Sequence, residues 1–154
     1  IDSKLDFKFI IAGGGEKQFV DKLIERASAE GLKDRFIFIH RFISNDELAT
    51  LLKISNFTVF PYHHIYQSGA LLMALTFGKA IIGSDIPGFR EYVTHNQDAI
   101  LCDTYNSQSF AENLERLIQD ENLLQSLSFS AQKISTERFS WSKIVNDMIN
   151  IYEV

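Results

Sequence analysis

The sequence predicts an α/β fold: a doubly wound parallel sheet of about five strands, flanked by helices and followed by further helices. Three observations carry this. Short β-rich apolar runs alternate five times with helical stretches. Those runs are short and mostly apolar, as in strands buried on both faces of a parallel sheet. After the fifth run the pattern is helical to the end.

Taken in order, Phe7–Ala12 (FKFIIA) is the first strand, stopped by Gly13-Gly14-Gly15. Phe19, Val20, Leu23, Ile24 and Ala27 then form one helical stripe that ends at Gly31. Arg35–His40 is the second strand. Ser44 and Glu47, three apart, read as a capping box for a helix carrying Leu48, Leu51 and Leu52. Phe57–Phe60 is the third strand, Gln67–Gly78 a helix, Ala80–Ser84 the fourth strand and Ala99–Cys102 the fifth. Helices follow from Asn106-Ser107, from about Glu121 to Ser135, and from Ser140-Trp141.

Composition narrows the function. The 154 residues suffice for one domain with its own core, and 45% of them are hydrophobic, which argues against disorder. The net charge is −5 with scattered basic residues, which disfavours nucleic acid or an anionic membrane as the main partner. The one cysteine, Cys102, permits no internal disulfide, fits a reducing compartment such as the cytoplasm, and sits in an apolar run as a core residue would. No signal peptide is visible, and no apolar run approaches the ~20 residues of a membrane helix. The opening stretch, Ile1–Asp6, reads as a cut or a linker.

The stretch Gln67–Glu91 organises the chain. Ser68 suits a helix N-cap, and Gly69 keeps the first turn open to close approach. Ala70, Leu71, Leu72, Met73, Ala74, Leu75 and Phe77 leave almost no polar face, so the helix is expected to be buried nearly all round. Gly78 suits a left-handed stop, and Lys79 the negative helix end. The unpaired amides and positive dipole end of such a helix suit a phosphate; a plain core helix fits the same residues.

In this architecture ligands bind beyond the carboxyl ends of the strands. The loops there are Gly13–Glu16, His40–Ser44, Pro61–Ser68, Ser84–Arg90 and Asp103–Ser107. Gly13-Gly14-Gly15 stands where a nucleotide loop would, but Gln18 occupies the third glycine of the dinucleotide fingerprint and no Gly-Lys-Ser/Thr follows. A tight turn accounts for the triplet as well. Adjacent His63 and His64 point apart in an extended loop and have no nearby acid or cysteine, so no metal site is expected. The Gly-x-Ser-x-Gly elbow of serine hydrolases is absent. Arg90 and Glu91 read as a surface pair, or Glu91 as the cap of a short turn.

Four segments together resemble a known family: FIIAGGGEK, RFIFIHRFISNDELATLLKISNFTVFPY, SGALLMALTFGKAIIGSDIPGFREYV and FSWSKIVNDMINIYE. In order and spacing they are similar to the C-terminal, donor-binding domain of group-1 (family 4) retaining glycosyltransferases of the GT-B fold. The resemblance runs from Phe7 to Tyr152. It implies that residues 1–154 are one Rossmann-like nucleotide-sugar-binding domain of a two-domain enzyme, whose N-terminal acceptor domain is not in this chain. The implied reaction moves a sugar, with retention, from a nucleoside-diphosphate sugar to a glycan or lipid-linked acceptor, without a cofactor or metal. The implied setting is cytoplasmic polysaccharide biosynthesis, with membrane association through the other domain.

The resemblance also implies the contacts. The amides of Ser68, Gly69 and Ala70 would hold the donor diphosphate; Arg41, Phe42 and Ile43 would lie by the nucleobase; Gly13, Gly14 and Gly15 would edge the cleft. Glu91 matches the glutamate of the family's Gly-Gly-x-x-Glu loop. Two family glutamates, eight positions apart, fall on Ile65 and Met73, and no acid occurs between Asn56 and Asp85. Gln67 is placed to supply one hydrogen bond instead. A non-catalytic nucleotide-binding or scaffold module is the alternative this departure leaves. The family sheet order, 3-2-1-4-5-6, would leave an empty slot between Phe7–Ala12 and Phe57–Phe60. Either the strands close up as 2-1-3-4-5 or another strand fills the slot, Ile1–Asp6 being too short and polar to do so.

Overall fold

The computed structural model describes residues 5–152. In chain order its elements are β1 (Phe9–Gly13), α1 (Lys17–Ala29), β2 (Phe36–His40), α2 (Asn45–Ile54), β3 (Phe57–Phe60) and α3 (Gly69–Thr76). Then follow β4 (Ala80–Ser84), α4 (Pro87–Arg90), β5 (Ile100–Cys102), α5 (Ser107–Gln119), α6 (Glu121–Arg138) and α7 (Trp141–Tyr152). The α/β class and the parallel strands are as the sequence predicts. Among the described residues no helix is long and apolar enough to cross a membrane.

The expected sheet of about five strands is divided in two. The five strands form two parallel sheets, β1-β2 and β3-β4-β5. Every ladder joins a strand to its successor across a crossover, and the link through α2 is where the chain leaves one sheet for the other. Among the described residues β1 and β3 share no ladder, so the closed order 2-1-3-4-5 is not formed. These strands are short: all five residues of β1 pair with β2, and all four of β3 with β4. Ile1–Lys4, most of the opening stretch weighed as a filler, lie outside the described residues.

The chain divides into two compact units, residues 2–48 and residues 49–154. In the first, β1 and β2 are held by stacked rings, Phe9 on Phe36 and Phe36 beside Phe38, with centroids 5.4 and 5.8 Å apart. Burial of these strands on both faces is not observed: Ile11 and Ile37 are 40% and 47% exposed. A two-stranded sheet has only edge strands, and the unit offers one long helix to cover it.

In the second unit every residue of β4 and β5 is buried. Helix α6 packs on α3 and β4, and α5 on β4 and β5. Caps fix where these helices start. Asn106 accepts from the Ser109 amide at 3.1 Å and Asp120 from the Leu123 amide at 2.9 Å. Helix α3 is buried on the face of Leu71, Ala74 and Leu75, while Leu72 and Met73 are half-buried and Thr76 is exposed, so it is less enclosed than its composition implies. Gly78, at φ 59°, makes the left-handed stop. Lys79 serves a different helix from the one expected: its ammonium donates to the Ser55 carbonyl at 2.8 Å, just past the end of α2.

Buried Cys102 has its thiol pKa pushed up by burial, which leaves it inert as a nucleophile. Asp98 is also buried. Its carboxylate accepts from the Thr94 amide at 2.6 Å, yet loss of solvent is the larger effect and raises its pKa.

Candidate functional site

The start of α3 is built locally. Ser68 is extended (φ −135°, ψ 106°), and its Oγ accepts from the Leu71 amide at 3.1 Å while its carbonyl takes the Leu72 amide. The cap is buried, so it competes little with water. The amides of Gly69 and Ala70 lie in the first turn, where a helix supplies no partner. A Cβ built on Gly69 meets nothing within 4 Å, so the space beside the first turn is open. Ser68, Gly69 and Ala70 thus come together as an anion-receptive turn, with exposed Gln67 just ahead of it.

Glu91 lies on a cleft of about 680 Å³ formed by the loops after β3, β4 and β5, the first of which leads into Ser68. The expected Arg90–Glu91 pair does not form. Arg90 instead makes two bonds to Asp85, at 2.6 and 2.8 Å, and Glu91 follows α4 as its C-cap residue. Residues five apart across this tight turn face each other, whereas neighbours on a helix diverge. The Arg90 bonds hold the Asp85 carboxyl below its ordinary pKa.

Ile65, one of the two positions where the family's glutamates would fall, is on the cleft, and half-buried Met73 is on α3. The floor is tight: a Cβ on Gly88 would stand 2.4 Å from the Ile65 carbonyl oxygen. Below it, Gly83 leaves room for the Phe89 ring, which would otherwise be 2.7 Å from a Cβ.

In the other unit, the loops after β1 and β2 meet, as the register Gly13↔His40 requires. His40 Nε2 is 2.9 Å from the Gly15 carbonyl oxygen. Of the triplet only Gly13, at φ 145°, has a backbone that needs glycine. Phe42 is 83% exposed and Ile43 is half-buried. Arg41 is committed to a neighbour: its guanidinium makes two bonds to Glu47, at 3.0 and 2.6 Å, and one to the Phe42 carbonyl. The capping box forms around the same carboxylate, with Ser44 N–H to Glu47 at 3.0 Å and Glu47 N–H to Ser44 Oγ at 3.3 Å.

The Arg41 bonds, then the Ser44 amide, bring the Glu47 pKa down from 4.5 to about 2. The folded value lies below the unfolded one, so this contribution is complete above the ordinary carboxylate range and lost as pH falls through about 2. In an NMR titration the Glu47 carboxyl midpoint should lie near 2 and move up toward 4.5 in Arg41→Ala. An unmoved midpoint would remove Arg41 as the cause.

Residues 1–134 match the family of glycosyl transferases group 1, and the chain belongs to that family. It is 26% identical over 149 residues to an uncharacterised glycosyltransferase of Methanocaldococcus jannaschii, MJ1607, covering 96% of this chain and 37% of that protein. It is 24% identical over 148 residues to the alpha-D-kanosaminyltransferase of Streptomyces kanamyceticus, covering 96% and 37%. Among solved structures, Anabaena Alr3699/HepE in complex with UDP superimposes with a TM-score of 0.84 at 20% identity, over 96% of this chain and 41% of that one. The fold is therefore that of the GT-B glycosyltransferases. The chain spans well under half the length of these relatives.

Proposed function

We propose that this chain is the donor-binding part of a retaining glycosyltransferase that uses a nucleoside-diphosphate sugar, and that the start of α3 holds the diphosphate. The carrying observation is the buried Ser68 cap beside two first-turn amides and the open space at Gly69. Family membership supports the reaction class, and the likeness to a fold solved with UDP supports the ligand. As the glycosidic bond breaks, negative charge grows on the departing diphosphate. Amides already aimed at it stabilise that charge without reorganising. The acceptor, a glycan or lipid-linked sugar, and a place on the cytoplasmic side in polysaccharide synthesis complete the proposal.

The test is calorimetric titration of UDP into the full-length protein and its Gly69→Phe variant. Nothing lies within 4 Å of the added Cβ, so the substitution starts without a clash, and a melting temperature equal to the parent's is the check that the variant is folded. UDP affinity should fall at least about tenfold, the equivalent of ~1.4 kcal/mol, since the ring occupies the phosphate's place. Equal affinity in a folded variant would overturn the assignment. UDP binding without any turnover of UDP-sugars would favour a non-catalytic module.

A further inference from the structure

Glu91 reaches the cleft with no partner for its side chain: the carboxylate makes no hydrogen bond or ion pair to any described residue. Its direction is therefore set by the backbone beneath it. That backbone is the end of α4, a helix of four residues, and a single turn does not hold itself. Two fastenings lie within the segment, Phe89 in the core and Arg90 on Asp85.

The third comes from far along the chain. Arg138, the last residue of α6, donates from Nη2 to the Glu91 carbonyl at 2.9 Å and from Nη1 to the Tyr92 carbonyl at 3.3 Å. Carbonyls at a helix end have no partner inside the helix, and a cation there suits the negative end of the dipole. The guanidinium is itself supported. Its carbon lies 5.1 Å from the centre of the Phe139 ring, and that ring lies 5.6 Å from the Tyr92 ring. A continuous run of contacts thus joins the end of α6 to the residue after Glu91. The residue type matters, because a planar fork serves two successive carbonyls at once, whereas an ammonium acts as a point charge.

We infer that Arg138 is a positioning residue: through the Glu91 and Tyr92 carbonyls it fixes where the Glu91 carboxylate stands on the cleft. The inference rests on the sugar-transfer reading for the use made of Glu91, whereas the hold on its backbone does not.

The test is Arg138→Lys in the full-length protein. Lysine keeps a cation at the helix end and near buried Asp98, whose ionised form the Arg138 charge favours, but loses the fork. Arg138 is exposed, so the variant should fold. The first measurement is hydrogen exchange without ligand. The Tyr92 and Val93 amides, which bond the Phe89 carbonyl, should exchange at least about fivefold faster, with the β4 amides unchanged. The second is calorimetry with UDP and UDP-glucose. Affinity for UDP-glucose should fall at least about fivefold, as for a weakened charged hydrogen bond, while affinity for UDP is unchanged. In a Glu91→Ala background the same substitution should change neither affinity, because its effect runs through that carboxylate. Unaltered exchange at Tyr92 and Val93 would overturn the inference. So would faster exchange in β4 as well, which would make Arg138 a support of the whole unit. An unchanged UDP-glucose affinity, or an equal loss with and without Glu91, would also overturn it. If the parent binds neither nucleotide, the donor reading fails, and the exchange measurement decides the hold on Glu91.

Discussion

Phe89→Ala is expected to destabilise the protein by about 3–5 kcal/mol, the usual cost of deleting a large ring from a closed core. Phe89 is fully buried, and its ring centroid lies 6.1 Å from Phe60 and 6.0 Å from Tyr62. Helix α4 is four residues long, too short to persist on its own hydrogen bonds. Its place therefore depends on packing, with this side chain, seated over the glycine at position 83, the largest contribution. Without the ring, α4 loses its anchor and the Asp85–Arg90 bonds lose their geometry. Urea unfolding of the full-length variant measures the effect, and a loss under ~1 kcal/mol would show that α4 is held by something else.

Gly88→Ala should be nearly as damaging despite adding one carbon. The new Cβ would lie 2.4 Å from the Ile65 carbonyl oxygen and 2.7 Å from Ile65 Cγ2. A backbone carbonyl cannot swing aside as a side chain can, so α4 and the loop before α3 must separate. The expected cost is about 1–3 kcal/mol, typical of overpacking. Gly69→Ala is the control: its Cβ meets nothing within 4 Å, so its stability should match the parent. Equal melting curves for Gly88→Ala and Gly69→Ala would mean that the Ile65 contact yields freely.

These two sites also mark the limit of what could be read from sequence. Strands β3 and β4 match their expected bounds, because a short β-rich run between turn signals is a local pattern. The caps at Ser44, Ser68 and Asn106 were legible for the same reason, since capping acts over three residues. Helix α4 was not legible: its sequence, Pro-Gly-Phe-Arg, has poor helical propensity, and tertiary contacts such as the burial of Phe89 and the Arg138 bonds to the Glu91 and Tyr92 carbonyls fix it. The division into two sheets falls at the slot that the family order leaves between Phe7–Ala12 and Phe57–Phe60, but whether the two runs would pair directly was not legible, because neither run's own residues decide it. At the candidate site, the first turn of α3 followed from Ser68-Gly69. The three loops of the cleft were legible as strand ends, but the side chains that line it together, such as His63, Glu91 and Tyr105, were not, because they come from separate parts of the chain. Even Arg90 was assigned to its sequence neighbour when its true partner stood across the turn.

Burial is unevenly divided between the two units. Of the described residues up to position 48, Ala27 alone is buried, whereas β4 and β5 have no exposed residue at all. Resistance to local opening follows the apolar surface a segment would have to release. Amide protons in the β1–β2 ladder should therefore exchange through small openings, and those of β4 only when the whole unit of residues 49–154 unfolds. Because each ladder joins neighbouring strands, such openings can occur strand pair by strand pair. The loops carrying Gly13–Gly15 and Arg41–Ile43 thus sit on the half of the chain that reshapes most readily, while the first turn of α3 is anchored to the half that does not.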